Sequence, residues 1–189
     1  MAPEELLAKI VEILEDLKIP YAITGGFAIS VWGRPRSTND IDIIVEMTEK
    51  NIKPLINKVN VLKKDIYADE DMVRDAMKHK SEFNFIDPDM GVKVDFFVLA
   101  DNAYNKLKIK RAVLQNILGV VKAYFVSPED LILSKLLWSK ESSSWKQRED
   151  VKTVLNNSKI KLDFKYINNW AEKQGTAEIL KDLLKDKIN

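Results

Sequence analysis

Apolar residues recur at helical spacing over Glu4–Leu17, where Leu6, Ile10, Ile13, Leu14 and Leu17 share one face and Pro3 suits the first turn. Lys18-Ile19-Pro20 breaks that pattern. Tyr21–Thr24 then reads as a short apolar strand ending in Gly25-Gly26, and Phe27–Trp32 as a short helix stopped by Gly33. After the loop Arg34–Asn39, the Ile- and Val-rich run Asp40–Glu46 predicts a strand. Thr48 can cap a helix over 49–59, with Ile52, Leu55, Ile56 and Val59 on one side, and a further helix is expected over 70–78.

Ser81–Ile86 and Val92–Leu99 predict two strands joined by the turn-rich Asp87-Pro88-Asp89-Met90-Gly91. Residues 111–126 lean towards strand, with a break near Gly119. Beyond them the pattern turns helical. Ser127-Pro128-Glu129-Asp130 opens a helix through Trp138, Trp145–Leu155 forms another, Asp163 starts one ending at Gly175, and Thr176 caps a last one with Ile179, Leu180, Leu183, Leu184 and Ile188. The expected outline is an α/β part over 1–126 followed by a helical part over 127–189 that packs on it.

A length of 189 residues suits one domain or one domain with an appendage, and 46% hydrophobic residues suffice for a sizeable core. No apolar run approaches a membrane span, and the first residues lack the basic and apolar regions of a signal peptide, so a cytoplasmic location is expected. Cysteine is absent and His79 is the single histidine, which removes thiolate chemistry and nearly removes His-built zinc sites and Ser-His-Asp triads. The net charge of +1 hides a split. Residues 1–100 hold 13 basic and 18 acidic side chains, residues 101–189 hold 17 and 11. By itself the split reads as solvated surface.

Three pieces carry candidate chemistry. Gly25-Gly26 stands between a strand and a helix, where a bare backbone can approach a ligand and free N–H groups can meet an anion; a tight turn explains the pair equally well. Asp40-Ile41-Asp42 opens a strand, so its alternation sends both carboxylates to one face. Their repulsion is relieved by a hard divalent cation such as Mg²⁺ or Mn²⁺, or by water if the strand end is exposed. Asp95 lies within the apolar run Val92–Val98, where it needs a metal, a hydrogen-bond network or a Lys or Arg partner. Were its strand beside that of Asp40, three carboxylates would converge.

The stretch Leu17–Ala28 with Gly25-Gly26, followed by Gly33, Arg36, Thr38 and Asp40-Ile41-Asp42-Ile43, resembles the signature of the nucleotidyltransferase superfamily, with its DNA polymerase beta-like fold. It is most similar to the branch of small antibiotic-type and AbiEii-type nucleotidyltransferases. The likeness is dense over 17–46, includes Asp95, and continues through Ser127–Leu136 and Arg148-Glu149-Asp150. It implies a mixed sheet flanked by helices, followed by a helical part, and transfer of NMP from an NTP to a hydroxyl of a small molecule, a protein or an RNA such as tRNA. Asp40, Asp42 and Asp95 would hold two Mg²⁺ (or Mn²⁺) ions, with Asp95 also helping to deprotonate the acceptor. Thr24, Gly25, Gly26, Arg36 and Lys135 would bind the nucleotide. Many relatives carry Ser at the position of Gly26, with its hydroxyl on a phosphate; here that contact falls to backbone or to Thr24, Arg34 or Arg36. A Lys-rich loop motif of the toxin branch is missing.

Among other residues, Arg148 and Asp150 are expected to form a structural ion pair, His79 to sit in an exposed loop, and Trp138, Trp145 and Trp170 to belong to the core. Lys135 lies among Leu131, Ile132, Leu136 and Leu137, from where it reaches phosphates or snorkels to the surface. A second functional reading is a non-catalytic member, a toxin–antitoxin partner or a homodimer using the apolar last helix as an interface. Direct nucleic-acid binding by the basic half ranks third.

Overall fold

The computed structural model describes residues 2–62, 66, 68–89, 91–117 and 121–185. The break expected near Gly119, the turn residue Met90 and the terminal Ile188 lie outside the described residues. The chain divides into two compact units, Met1–Phe27 with Ser37–Phe125 and Ala28–Arg36 with Val126–Asn189.

The first unit is built on one mixed sheet. Its strands are β1 (Tyr21–Ile23), β2 (Asp40–Val45), β3 (Glu82–Asp87), β4 (Val92–Val98), β5 (Val113–Ile117) and β6 (Val121–Phe125), in the order β3-β4-β2-β1-β6-β5. β2 runs antiparallel to β1 and parallel to β4, and β1 runs parallel to β6. The helices here are α1 (Pro3–Asp16), α3 (Glu49–Leu62), α4 (Glu70–His79) and α5 (Ala103–Lys110). α1 buries Leu6, Leu7, Ile10 and Leu14, α3 buries Ile52, Leu55 and Val59, and the two helices touch. Each follows the 3.6-residue period that its sequence shows.

Alternation decides the sheet's two sides. On one, Ile41, Ile43 and Val45 of β2 neighbour Val94, Phe96 and Val98 of β4, all buried. Phe96 stacks on Phe83 of β3 with ring centroids 4.8 Å apart and meets the edge of Phe85 at 5.2 Å. Burying side chains of this size contributes about 1.5–3 kcal/mol each, so this side fixes the register. The other side carries Asp40, Asp42, Lys93 and Asp95 together with Ile44 and Phe97. α5 was not expected from the sequence: none of its side chains is buried, so no apolar stripe betrays it.

α2 (Gly25–Trp32) begins in the first unit and passes into the second. The glycines start this helix rather than preceding it. The second unit surrounds α6 (Pro128–Ser142), whose residues from Pro128 to Leu136 are all buried; α7 (Trp145–Leu155), α8 (Phe164–Gln174) and α9 (Ala177–Lys185) each touch it. Ser127 caps α6 by accepting from the Asp130 N–H at 3.1 Å, as its capping sequence foretells. Trp32 ties the first segment of this unit to the rest: its Nε1 donates to the Val126 carbonyl at 2.8 Å, and Asn157 donates to the Trp32 carbonyl at 3.0 Å. Trp145 does not join the core; it is 74% exposed at the start of α7. His79 is the last residue of α4 rather than a loop residue, with Nδ1 3.1 Å from the Asp75 carboxylate one turn back.

Candidate active site

β2 and β4 are adjacent and parallel, and their register sets Asp40 opposite Lys93 and Asp42 opposite Asp95. Paired residues of neighbouring strands share a face, so the three carboxylates come together on the polar side of the sheet. Their exposure falls along the set: Asp40 is exposed, Asp42 half-buried and Asp95 buried. On β3, Asn84 is the partner of Asp95 and adds an amide to the same face.

The backbone between β1 and α2 closes on this strand. Thr24, buried at the end of β1, donates its N–H to the Asp42 carbonyl at 2.8 Å. Gly25 follows with a φ of +60°, a conformation that side chains with a Cβ resist. A Cβ on Gly25 would fall onto the Asp42 carboxylate. Gly25 is thus required twice over, for its backbone angle and for the room that Asp42 occupies. Thr24, Gly25, Gly26, Asp40, Asp42 and Asp95 all belong to the first unit.

Lys93 supplies the counter-charge on this face. Its Nζ lies 2.7 Å from Asp95 Oδ1, an ion pair on a buried oxygen that accepts no hydrogen bond of good geometry. The pairing with Asp95 holds the Lys93 ammonium above its ordinary pKa, against the opposing effect of desolvation. Asp95 therefore has the cationic neighbour that the sequence allows, but an incomplete one.

These donors suit a hard divalent cation in kind: carboxylate oxygens on one face, one of them buried without a hydrogen bond. They are not drawn into a ligand shell, and among the described residues no three His, Cys, Asp or Glu side chains are gathered to hold a metal ion. An ion binding Asp95 Oδ1 would have to displace the Lys93 ammonium.

Arg36 and Lys135 are found in the second unit, both on Asp150. The Arg36 guanidinium makes a fork, Nε to Oδ1 and Nη2 to Oδ2, each at 3.2 Å, and Lys135 Nζ lies 3.0 Å from Oδ2. Burial alone would raise the Asp150 pKa; the Arg36 hydrogen bonds and the Lys135 charge outweigh it and hold the carboxyl below its usual range. Lys135 does not snorkel, being 3% exposed. The expected Arg148–Asp150 pair does not form: two residues apart on a helix they point to different sides, and Arg148 donates to Ser139 Oγ at 3.1 Å instead. The true partner, Arg36, lies 114 residues away, a distance at which no spacing rule operates.

A family model described as a nucleotidyltransferase of unknown function, DUF6036, matches residues 4–186. The chain belongs to that family. Its fold recurs in solved structures: an antigenic nucleotidyltransferase-like protein from Paracoccidioides brasiliensis aligns with a TM-score of 0.59 and 18% identity over 97% of this chain and 88% of the other. ANT(2")-Ia in complex with adenylyl-2"-tobramycin aligns with a TM-score of 0.59 and 19% identity, covering 92% of this chain and 97% of that one. The lincomycin-bound lincosamide antibiotic adenylyltransferase LnuA gives a TM-score of 0.54 and 16% identity over 82% and 98%. Among curated proteins none matches. The nucleotidyltransferase resemblance and fold read from Gly25-Gly26 and the Asp40-Ile41-Asp42 strand therefore hold. Among the described residues, no helix is long and apolar enough to cross a membrane.

Proposed function

We propose that this DUF6036 nucleotidyltransferase moves NMP from a nucleoside triphosphate to a hydroxyl of its acceptor, forming a phosphoester and releasing pyrophosphate. The observation that carries this reading is the parallel register of β2 and β4, which sets Asp42 beside Asp95 with Asp40 on the same face. Asp40, Asp42 and Asp95 would hold Mg²⁺ or Mn²⁺, which when bound neutralises charge on the phosphoryl group and the leaving pyrophosphate. Asp95 Oδ1, buried and without a hydrogen bond, takes the proton of the attacking hydroxyl. Gly25 and Gly26, in the first turn of α2, and Thr24 before them orient the nucleotide on that side of the sheet.

ATP binding by the full chain, titrated with Mg²⁺ and again with EDTA, tests the reading. Affinity should be metal-dependent and Asp42→Asn should abolish the dependence. Binding indifferent to both EDTA and Asp42→Asn sinks it. For the acceptor, labelled NTPs incubated with small hydroxyl compounds, proteins and tRNA show which class receives label. Small hydroxyl compounds come first in that series, because the similar ANT(2")-Ia and LnuA structures hold an adenylylated and a bound antibiotic.

A further inference from the structure

Gly26 has no side chain, yet the place of one is filled. Were a Cβ present, it would stand 2.8 Å from both Cβ and Oγ1 of Thr38 and 2.9 Å from its Cγ2, closer than real Cβ atoms approach their neighbours. Thr38 thus fits against the first turn of α2 only because residue 26 is glycine. The same side chain holds the start of β2: its Oγ1 donates to the Asp40 carbonyl at 3.1 Å and accepts from the Asp40 N–H at 3.3 Å. The connection from Gly33 to Asn39 forms no helix or strand, so Thr38 is where this irregular segment is gripped on both sides. Gly25 receives Asp42 in the same manner, so both glycines are landing places for side chains of the β2 entrance.

We propose that Thr38 is a positioning residue of the nucleotidyltransferase site: wedged on Gly26, it fixes the Asp40 backbone and thereby the first carboxylate of the set. The inference rests on the metal-dependent transfer proposed for this face. It also gives residue 26 a reason to be glycine that is independent of any ligand, namely to admit Thr38. Two parts of the side chain do different work. The bulk of Cβ, Oγ1 and Cγ2 fills the gap, and the hydrogen bonding of the hydroxyl orders the Asp40 peptide.

Four substitutions separate those parts. Thr38→Val keeps the wedge and removes the hydroxyl, so the variant folds. Its ATP affinity in Mg²⁺ should fall about tenfold, the loss of one well-made hydrogen-bonded contact, while its affinity in EDTA stays within about twofold of wild type. Thr38→Ser should restore the Mg²⁺-dependent gain. The Asp40 amide should exchange with solvent faster in Thr38→Val than in Thr38→Ser or wild type. Gly26→Ser should weaken Mg²⁺-ATP binding by collision with Thr38, and Gly26→Ser/Thr38→Gly should bind more tightly than Gly26→Ser alone, although Thr38→Gly by itself weakens binding.

Metal-dependent ATP binding in Thr38→Val equal to wild type would overturn the positioning role and leave the proposed reaction standing. So would a Thr38→Ser variant that fails to recover, or a double variant weaker than either single one. If the wild-type chain itself shows no Mg²⁺-dependent ATP affinity, the proposed reaction falls and the positioning role with it. The Asp40 exchange rates then still decide whether Thr38 grips that peptide: an unchanged rate in Thr38→Val removes the grip as well.

Discussion

Both units of this protein bury aspartates, and one from each, Asp150 and Asp95, are treated in opposite ways. Asp150, in the helical unit, receives a fork from Arg36 and a close ammonium from Lys135, so both its oxygens are engaged. Asp95, in the sheet unit, has Lys93 near one oxygen but no hydrogen bond to it. A buried carboxylate with its partners complete is part of the scaffold, because any ligand must first break bonds the fold depends on. One left incomplete beside two further carboxylates is poised for a cation or a proton. The comparison separates structure from function better than burial does, since both groups are less than a tenth exposed.

The largest expected effect breaks the complete network. Asp150→Ala leaves Arg36 and the buried Lys135 ammonium facing each other without their anion, and should destabilise the chain by about 3 kcal/mol in denaturant unfolding. Asp95→Asn makes the contrast: unfolding free energy should change by no more than about 1 kcal/mol, because little hydrogen bonding is lost, while Mg²⁺-dependent ATP binding disappears. If Asp95→Asn costs as much stability as Asp150→Ala, the distinction between the two sites is lost.

What the sequence reveals follows the same division. Helical period and strand alternation are local, so α1, α3, β2 and β4 are legible, and the two-residue spacing of Asp40 and Asp42 already puts them on one face. Their meeting with Asp95 is legible only through family resemblance, because the parallel pairing of β2 and β4 spans the intervening helices and hairpin. The Asp150 network escapes notice for a related reason: Arg36 stands in an irregular loop far away in sequence, and the nearer Arg148 points elsewhere. Thr38 is visible as a motif residue, but its bearing on Gly26 emerges only when the loop is folded back. α5 is hidden because it buries nothing.

Acid titration sharpens the comparison at a smaller scale. The Asp150 carboxyl is depressed in the folded chain, so its pairing stabilises the fold fully above the unfolded value of about 3.8 and less as pH falls through the lower folded value. The stability difference between wild type and Asp150→Asn should be flat from pH 7 to about 5 and shrink below about 4. A difference that already declines between pH 7 and 5 would mean that another group controls the network.

The smallest effect concerns Lys93, the cation paired with Asp95 Oδ1. Lys93→Met keeps an apolar stem of similar length and removes the ammonium, so the carboxylate face loses its internal competitor. Lys93 is 39% exposed at its side chain, hence well screened by water, and little stability should be lost. Mn²⁺ affinity, followed by water-proton relaxation, should rise about threefold, as expected when a solvent-screened charge near the ion is removed. A fall in Mn²⁺ affinity would instead make Lys93 a support that holds Asp95 in place, and Asp95 would then belong with Asp150 among the carboxylates whose partners are structural.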